Sequence, residues 1–289
     1  MLLKLKKRFT LSYFKKTIFT GLKLEKMETL KITEQMPMLF LGHGSPMNAI
    51  EENEFVTGFR NIAKSIPKPT AILCISAHWV TKGTFVTAME TPETIHDFGG
   101  FPQELFEVQY PAPGSPELAE EVKHIVTKTD IGMDSQWGLD HGAWSVIKHL
   151  YPNADVPVIQ FSLDFNKTPH DHYDLGKELS SLRWKGVLII GSGNMVHNLR
   201  DVDWINPDKG YVWAEAANEE FKKLILANDH ESLIHYKELG NEIQQAIPTP
   251  EHYLPMLYIL GLKQENESVS FFNDKTVLGS MSMTSFKIG

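Results

Sequence analysis

Short, almost uninterrupted apolar runs alternate along this chain with stretches in which apolar residues recur every third or fourth position. PMLFLG (37–42), TAILCISAHW (70–79), VPVIQFSL (156–163) and GVLIIGSG (186–193) lack a regular polar alternation, the pattern of strands covered on both faces. EFVTGFRNIAKSI (54–66), SPELAEEVKHIVTK (115–128), PHDHYDLGKELSSL (169–182) and YVWAEAANEEFKKLILAN (211–228) repeat at helical spacing and predict amphipathic helices. Two of these open on start signals: Ser115 before Pro116, and Thr168 before Pro169 with Asp171 completing a capping-box pattern. Strands alternating with helices predict an α/β fold: one domain whose central sheet is mostly parallel and flanked by helices. SVSFF (268–272) and GSMSMTSFKI (279–288) alternate more clearly and predict edge or antiparallel strands, which makes the sheet mixed.

The segment from Glu90 to Pro116 is rich in Pro, Gly and aromatic residues. Irregular segments of that length commonly form the wall or lid of a site. No repeat or Gly/Ser linker interrupts residues 36–289, so they are read as one catalytic domain.

Composition adds two constraints. The single cysteine, Cys74, excludes a disulfide framework and a cysteine zinc cluster and predicts a reducing, cytoplasmic setting. Residues 1–35 hold nine Lys or Arg against three Glu, a balance of +6, leaving −14 for the rest of a chain whose total is −8. An acidic body offers no footing for phosphate backbones, which argues against nucleic-acid binding. The basic leader, 1–35, has no apolar run near the roughly 20 residues a membrane span needs. It is taken as an upstream extension before a start at Met27 or Met36, with a targeting or membrane-surface segment and a disordered arm as alternatives. It is set apart from the fold.

The chemistry lies in the histidines, of which there are twelve. Ligands of open α/β sheets bind at the carboxyl ends of strands. His43 follows the run 37–42, His78 ends the run 70–79, and His197 follows the run 186–193. Parallel strands would bring all three to one rim, where imidazole serves as metal ligand or as acid/base. His252, in the Pro-punctuated IPTPEHYLP, and His141, in LDHGAW, are placed with them. The glycines beside His43 allow a sharp turn and leave room above its ring. Each of these histidines also has a plainer reading as a hydrogen-bonded structural residue; three at equivalent strand ends favour a shared mononuclear metal site.

Other histidines read as structural. His170 and His172 are expected to face solvent in the first turn of a capped helix, and His124, His149, His230 and His235 to lie on helix surfaces or interfaces. His96 is balanced between pocket wall and structural residue. HESLIH misses the zinc-protease spacing by one residue. GSGNMV has Val196 where a dinucleotide fingerprint needs Gly or Ala, and Pro46 after Ser45 removes the amide of a nucleophile elbow.

With these residues assembled, the chain resembles class III extradiol ring-cleavage dioxygenases, and within them the bacterial 4,5-DOPA extradiol dioxygenase-like branch. The likeness runs from about Met36 to Gly289 through FLGHGSPMN, SAHW, ETPETIHDFGGFP, YPAPGSPELA, DHGAW, GSGNMVHNL and PTPEHYLPMLY, in that order. It implies an oxidoreductase that opens the ring of a catechol such as L-DOPA with O2. It implies metal ligation by His43, His78 and His252, with His197 as acid/base or additional ligand and His141 as a second pocket histidine. Better-studied members complete the metal shell with a carboxylate, for which Glu251 is the neighbouring candidate. One divalent metal is implied, Fe(II) for oxygenation. Zn(II) suits three neutral imidazoles equally well, so a zinc-dependent, non-redox hydrolase using the same histidines is the rival reading.

Overall fold

A computed structural model describes residues 33–289. The expectation for the basic leader lies, over residues 1–32, outside the described residues. Among the described residues ten strands are present: β1 Met38–Gly42, β2 Ala71–Thr81, β3 Thr84–Thr87, β4 Ile131–Asp134, β5 Val158–Asp164, β6 Val187–Gly193, β7 Val269–Phe272, β8 Thr276–Val277, β9 Met281–Ser282 and β10 Ser285–Ile288. Nine α-helices accompany them among the described residues: α1 Glu54–Lys64, α2 Gln103–Phe106, α3 Pro116–Ile125, α4 His141–Leu150, α5 Pro169–Glu178, α6 Val212–Leu226, α7 His230–Ile234, α8 Asn241–Ala246 and α9 Leu254–Leu262.

Eight strands form one mixed sheet in the order β4-β3-β5-β2-β6-β1-β10-β7. Its centre, β5-β2-β6-β1, is parallel. These are the four continuous apolar runs, and their residues are buried throughout β1, β5 and β6, because helices cover both faces. β10 and β7 add antiparallel to the β1 edge, as their alternation predicts. β3 and β4 escape sequence reading: each is four residues long, too short for periodicity to register.

Alternation along β6 separates the two helical layers. Gly191 and Gly193 lie against α9 and the turn before it, so close that a Cβ on either would strike the carbonyl of Pro255 or His252. Ser192 points the other way and hydrogen-bonds the carbonyl of Gly142 in α4. Successive strand side chains face opposite sides, so α4 and α9 sandwich the strand. On the α4 side the core joins Leu39, Leu41, Ile72, Cys74, Leu188 and Ile190 to Phe59, Trp144 and Ile147.

The helix-start signals are realised. Ser115 accepts from the Leu118 amide, and Thr168 with Asp171 forms a reciprocal capping box. Residues 90–115 are irregular apart from the one-turn α2. One histidine expectation is corrected. His172 is fully buried, with Nδ1 3.0 Å from the Tyr258 hydroxyl, because α5 packs its first turn as well as its middle against α9. His149 is also buried and donates from Nε2 to the Asn48 carbonyl at 2.7 Å, since the final turn of α4 is closed over by the chain following β1. His124, His170 and His235 are exposed, and His230 is half-buried against Tyr173.

Candidate metal centre

β2, β6 and β1 are adjacent and parallel, so their carboxyl ends share one rim. His43 directly follows β1. Gly44 then turns the chain at φ +63°, where any Cβ would run into the Met283 side chain, so the glycine is a conformational requirement. His78 lies within β2, not beyond its end: the strand continues to Thr81, and its register against β5 shifts between Ile75 and Val80. Such an irregularity re-aims side chains. His141 opens α4, whose N-cap, Asp140, accepts from the Ala143 amide and is held by Ser76 and Gln160. His197 lies beyond β6, and its amide donates to the Ala246 carbonyl. His252 stands before α9, its carbonyl accepting from the Asn194 amide.

All five rings come together. The ring centroids of His43 and His78 are 5.0 Å apart, and His252 is 5.3 Å and 5.0 Å from them. His141 is 3.9 Å from His78. His197 stacks on His252 at 3.5 Å with the planes 7° apart. His43, His141 and His252 are at most 7% exposed. Ligating atoms fall into two groups, each spanning under 4.8 Å: His43, His78 and His141, and His197, Glu251 and His252.

The hydrogen bonds behind the rings set the direction of their lone pairs. Ser192 gives its proton to the Gly142 carbonyl, so at 3.0 Å it can only accept from His43 Nδ1, leaving a lone pair on His43 Nε2. His78 Nδ1 faces Asp97 Oδ2 at 3.5 Å. The two Nε2 atoms approach to 3.2 Å, a spacing at which both can reach one shared ion. With metal–nitrogen bonds of about 2.1 Å, nitrogens at this spacing subtend roughly 100° at a shared ion, between octahedral and tetrahedral angles. Partners on the far nitrogen are the usual means of orienting ligating imidazoles. The donor set therefore fits one divalent ion.

Burial also keeps four of the rings neutral. It holds His43 and His252 well below the ordinary imidazole range, reinforced by the neighbouring histidines. Burial and then His141 lower His78 to about 3, against the opposing pull of Asp97. Burial lowers His197 to about 4, with Glu251 opposing. Neutral rings offer their lone pairs without first losing a proton.

Glu251 is turned toward its own loop. Its Oε1 accepts from Thr249 at 2.7 Å and lies 3.3 Å from His252 Nδ1. His96 donates to the Val108 carbonyl at 3.0 Å and packs near Phe98, Phe106 and Trp144. Phe98 in turn meets the His141 ring edge-on at 5.5 Å, so the segment after Glu90 does supply an aromatic wall beside the histidines. Sequence reading missed Asp97, whose carboxylate reaches both His78 and His141. A carboxylate in a Gly- and aromatic-rich loop was visible, but its contact with residues far along the chain was not.

Comparison with known proteins agrees with this geometry. Residues 36–285 match the family described as the catalytic LigB subunit of aromatic ring-opening dioxygenase. A 4,5-DOPA dioxygenase extradiol of Escherichia coli K12 is 44% identical over 88% of this chain and 95% of its own length. One from Beta vulgaris is 35% identical over 86% of this chain and 94% of its own. The crystal structure of an uncharacterized Escherichia coli K12 protein superposes with TM-score 0.77 at 38% identity, covering 88% of this chain and all of the other. The chain belongs to the LigB family of class III extradiol dioxygenases, and it is a ring-cleaving oxidoreductase. None of these relatives favours the hydrolase reading. No helix among the described residues is long and apolar enough to cross a membrane.

Proposed function

We propose that the protein opens the ring of a catechol with a polar side chain, such as L-DOPA, by extradiol cleavage with O2, giving a muconic semialdehyde. The observation that carries this reading is the pair of Nε2 atoms of His43 and His78 facing each other at 3.2 Å, with His252 against both rings. In this reading His43, His78 and His252 hold one divalent ion, Fe(II), with His197 beside it as acid/base or fourth ligand. Held by His43, His78 and His252, a ferrous ion would supply a Lewis-acidic, redox-active centre for the catechol and dioxygen.

The side chains supply the rest. His141 accepts the proton of a catechol hydroxyl at Nε2, the nitrogen turned away from Asp97, and His197 handles the proton returned during ring opening. Phe98 and its aromatic neighbours pack the ring and keep water from it. The substrate class rests on the Escherichia coli and Beta vulgaris relatives, which are 4,5-DOPA dioxygenases. A cytoplasmic location forms part of the proposal and is in keeping with the buried, unpaired Cys74.

Oxygen uptake on a catechol panel after anaerobic reconstitution tests it. Consumption of one O2 per catechol, dependent on Fe(II) and accompanied by a yellow product, is the expected result. Turnover supported by zinc in the absence of oxygen would establish the hydrolytic reading instead.

A further inference from the structure

We propose that Asp97 is a positioning residue of this reaction: its carboxylate fixes the Nδ1–H form of His141 and His78 and thereby turns both Nε2 lone pairs into the same space. The proposal rests on the functional reading above and adds a residue to it.

Three contacts converge on this one side chain. Oδ1 accepts the backbone N–H of His141 at 2.9 Å, which anchors the carboxylate to the first turn of α4. Oδ2 then lies 3.0 Å from His141 Nδ1 and 3.5 Å from His78 Nδ1. The His141 Nδ1 is buried and, at this distance, off hydrogen-bond angle, the loose geometry that catalytic contacts show before substrate tightens them. An anion is an acceptor only, so each ring facing it presents N–H at Nδ1, and a neutral ring so oriented carries its lone pair on Nε2.

The segment bearing Asp97 is itself fixed. The Ile95 amide donates to the Leu139 carbonyl at 2.7 Å, and the Ile95 carbonyl accepts from the Trp144 indole at 2.8 Å. The next residue, Phe98, packs edge-on to His141. Asp97 therefore ties the aromatic wall and the two histidines into one unit: the surface that would receive the ring and the nitrogen that would take its proton are set by the same residue.

Asp97→Asn separates this role from a merely structural one. The amide oxygen can still accept from the His141 backbone, whereas the amide nitrogen then meets the two Nδ1 atoms as a donor. In the iron-loaded, full-length enzyme, kcat should fall about 10–100-fold, the usual cost of losing a partner behind a site imidazole, with KM changed less than about threefold. The second readout does not use activity. In zinc-loaded protein labelled with 15N-histidine, long-range 1H–15N spectra should show His141 as Nδ1–H in the wild type and Nε2–H in the variant. Turnover within twofold of wild type, or an Nδ1–H His141 in the variant, would overturn the proposal. Failure of the wild type to open catechols would count against the functional reading alone, since the tautomer comparison still decides the role of Asp97.

Discussion

The Nε2 atoms of His43 and His78 meet at 3.2 Å although β1, which His43 follows, and β2, which carries His78, are separated in the sheet by β6. Ser192, on that intervening strand, orients His43 from behind, and Asp97 does the same for His78. A cation placed between these nitrogens would bond to both and hold the strands that carry them together. Metal binding should therefore stabilise the whole domain. At free metal about 100 times its dissociation constant the gain is about 2.7 kcal/mol, which for a domain of this size raises Tm by roughly 5–10 °C. Calorimetry before and after chelation checks this; an unchanged Tm would mean that the pair is not a metal site.

His43→Ala and His78→Ala each remove one donor from a small set. Metal per chain should fall to a small fraction of the wild-type value at micromolar free metal, with ring opening lost in proportion. Elemental analysis after gel filtration measures it.

His197→Ala should separate binding from chemistry. The ring stacks on His252 instead of opposing the His43–His78 pair, so most of the metal should remain while turnover drops about 10²–10⁴-fold, the range for losing a positioned acid/base. Unchanged turnover with normal metal content would remove His197 from the mechanism.

Gly142→Ala probes the close packing of α4 on the site. The added Cβ would lie 2.6 Å from Ser76 Oγ and 2.8 Å from the His78 ring. Relieving that overlap displaces His78 or the helix, at a cost of about 1–3 kcal/mol. Reduced metal affinity together with a lowered denaturation midpoint is the expected outcome; a loss of stability with metal affinity intact would show that the helix yields and His78 does not.

His172 carries a pH dependence away from the site. Burial holds its imidazole at about 4, against about 6.5 for an unfolded histidine. Between these values the unfolded chain binds a proton that the folded chain refuses, so stability is full above about pH 6.5 and declines as pH falls toward 4. The shift is equivalent to about 3 kcal/mol at the acid end. His172→Gln should make the Tm profile between pH 6.5 and 4 less steep, and an unaltered profile would contradict the assignment.

The four parallel strands were legible because a strand buried on both faces must be apolar throughout, and the helices at 115 and 168 because their caps are local chemistry. His43 and His197 were legible because each follows such a run. β3 and β4 were not, being too short to show a period. His172 was misplaced because a histidine within a helical pattern says nothing of what packs on that turn. Asp97 was invisible as a partner because its contacts lie 19 and 44 positions away in the chain.

Sequence by itself determined the layered α/β architecture, the rim on which the histidines gather and the family, since each follows from local periodicity or from ordered blocks of residues. Only the tertiary structure decided which nitrogen each ring presents, that Glu251 turns to its own loop, and that Asp97 stands behind two of the rings. Those outcomes depend on hydrogen bonds between residues far apart in the chain, and such bonds have no direction until the strands and helices that carry them are packed.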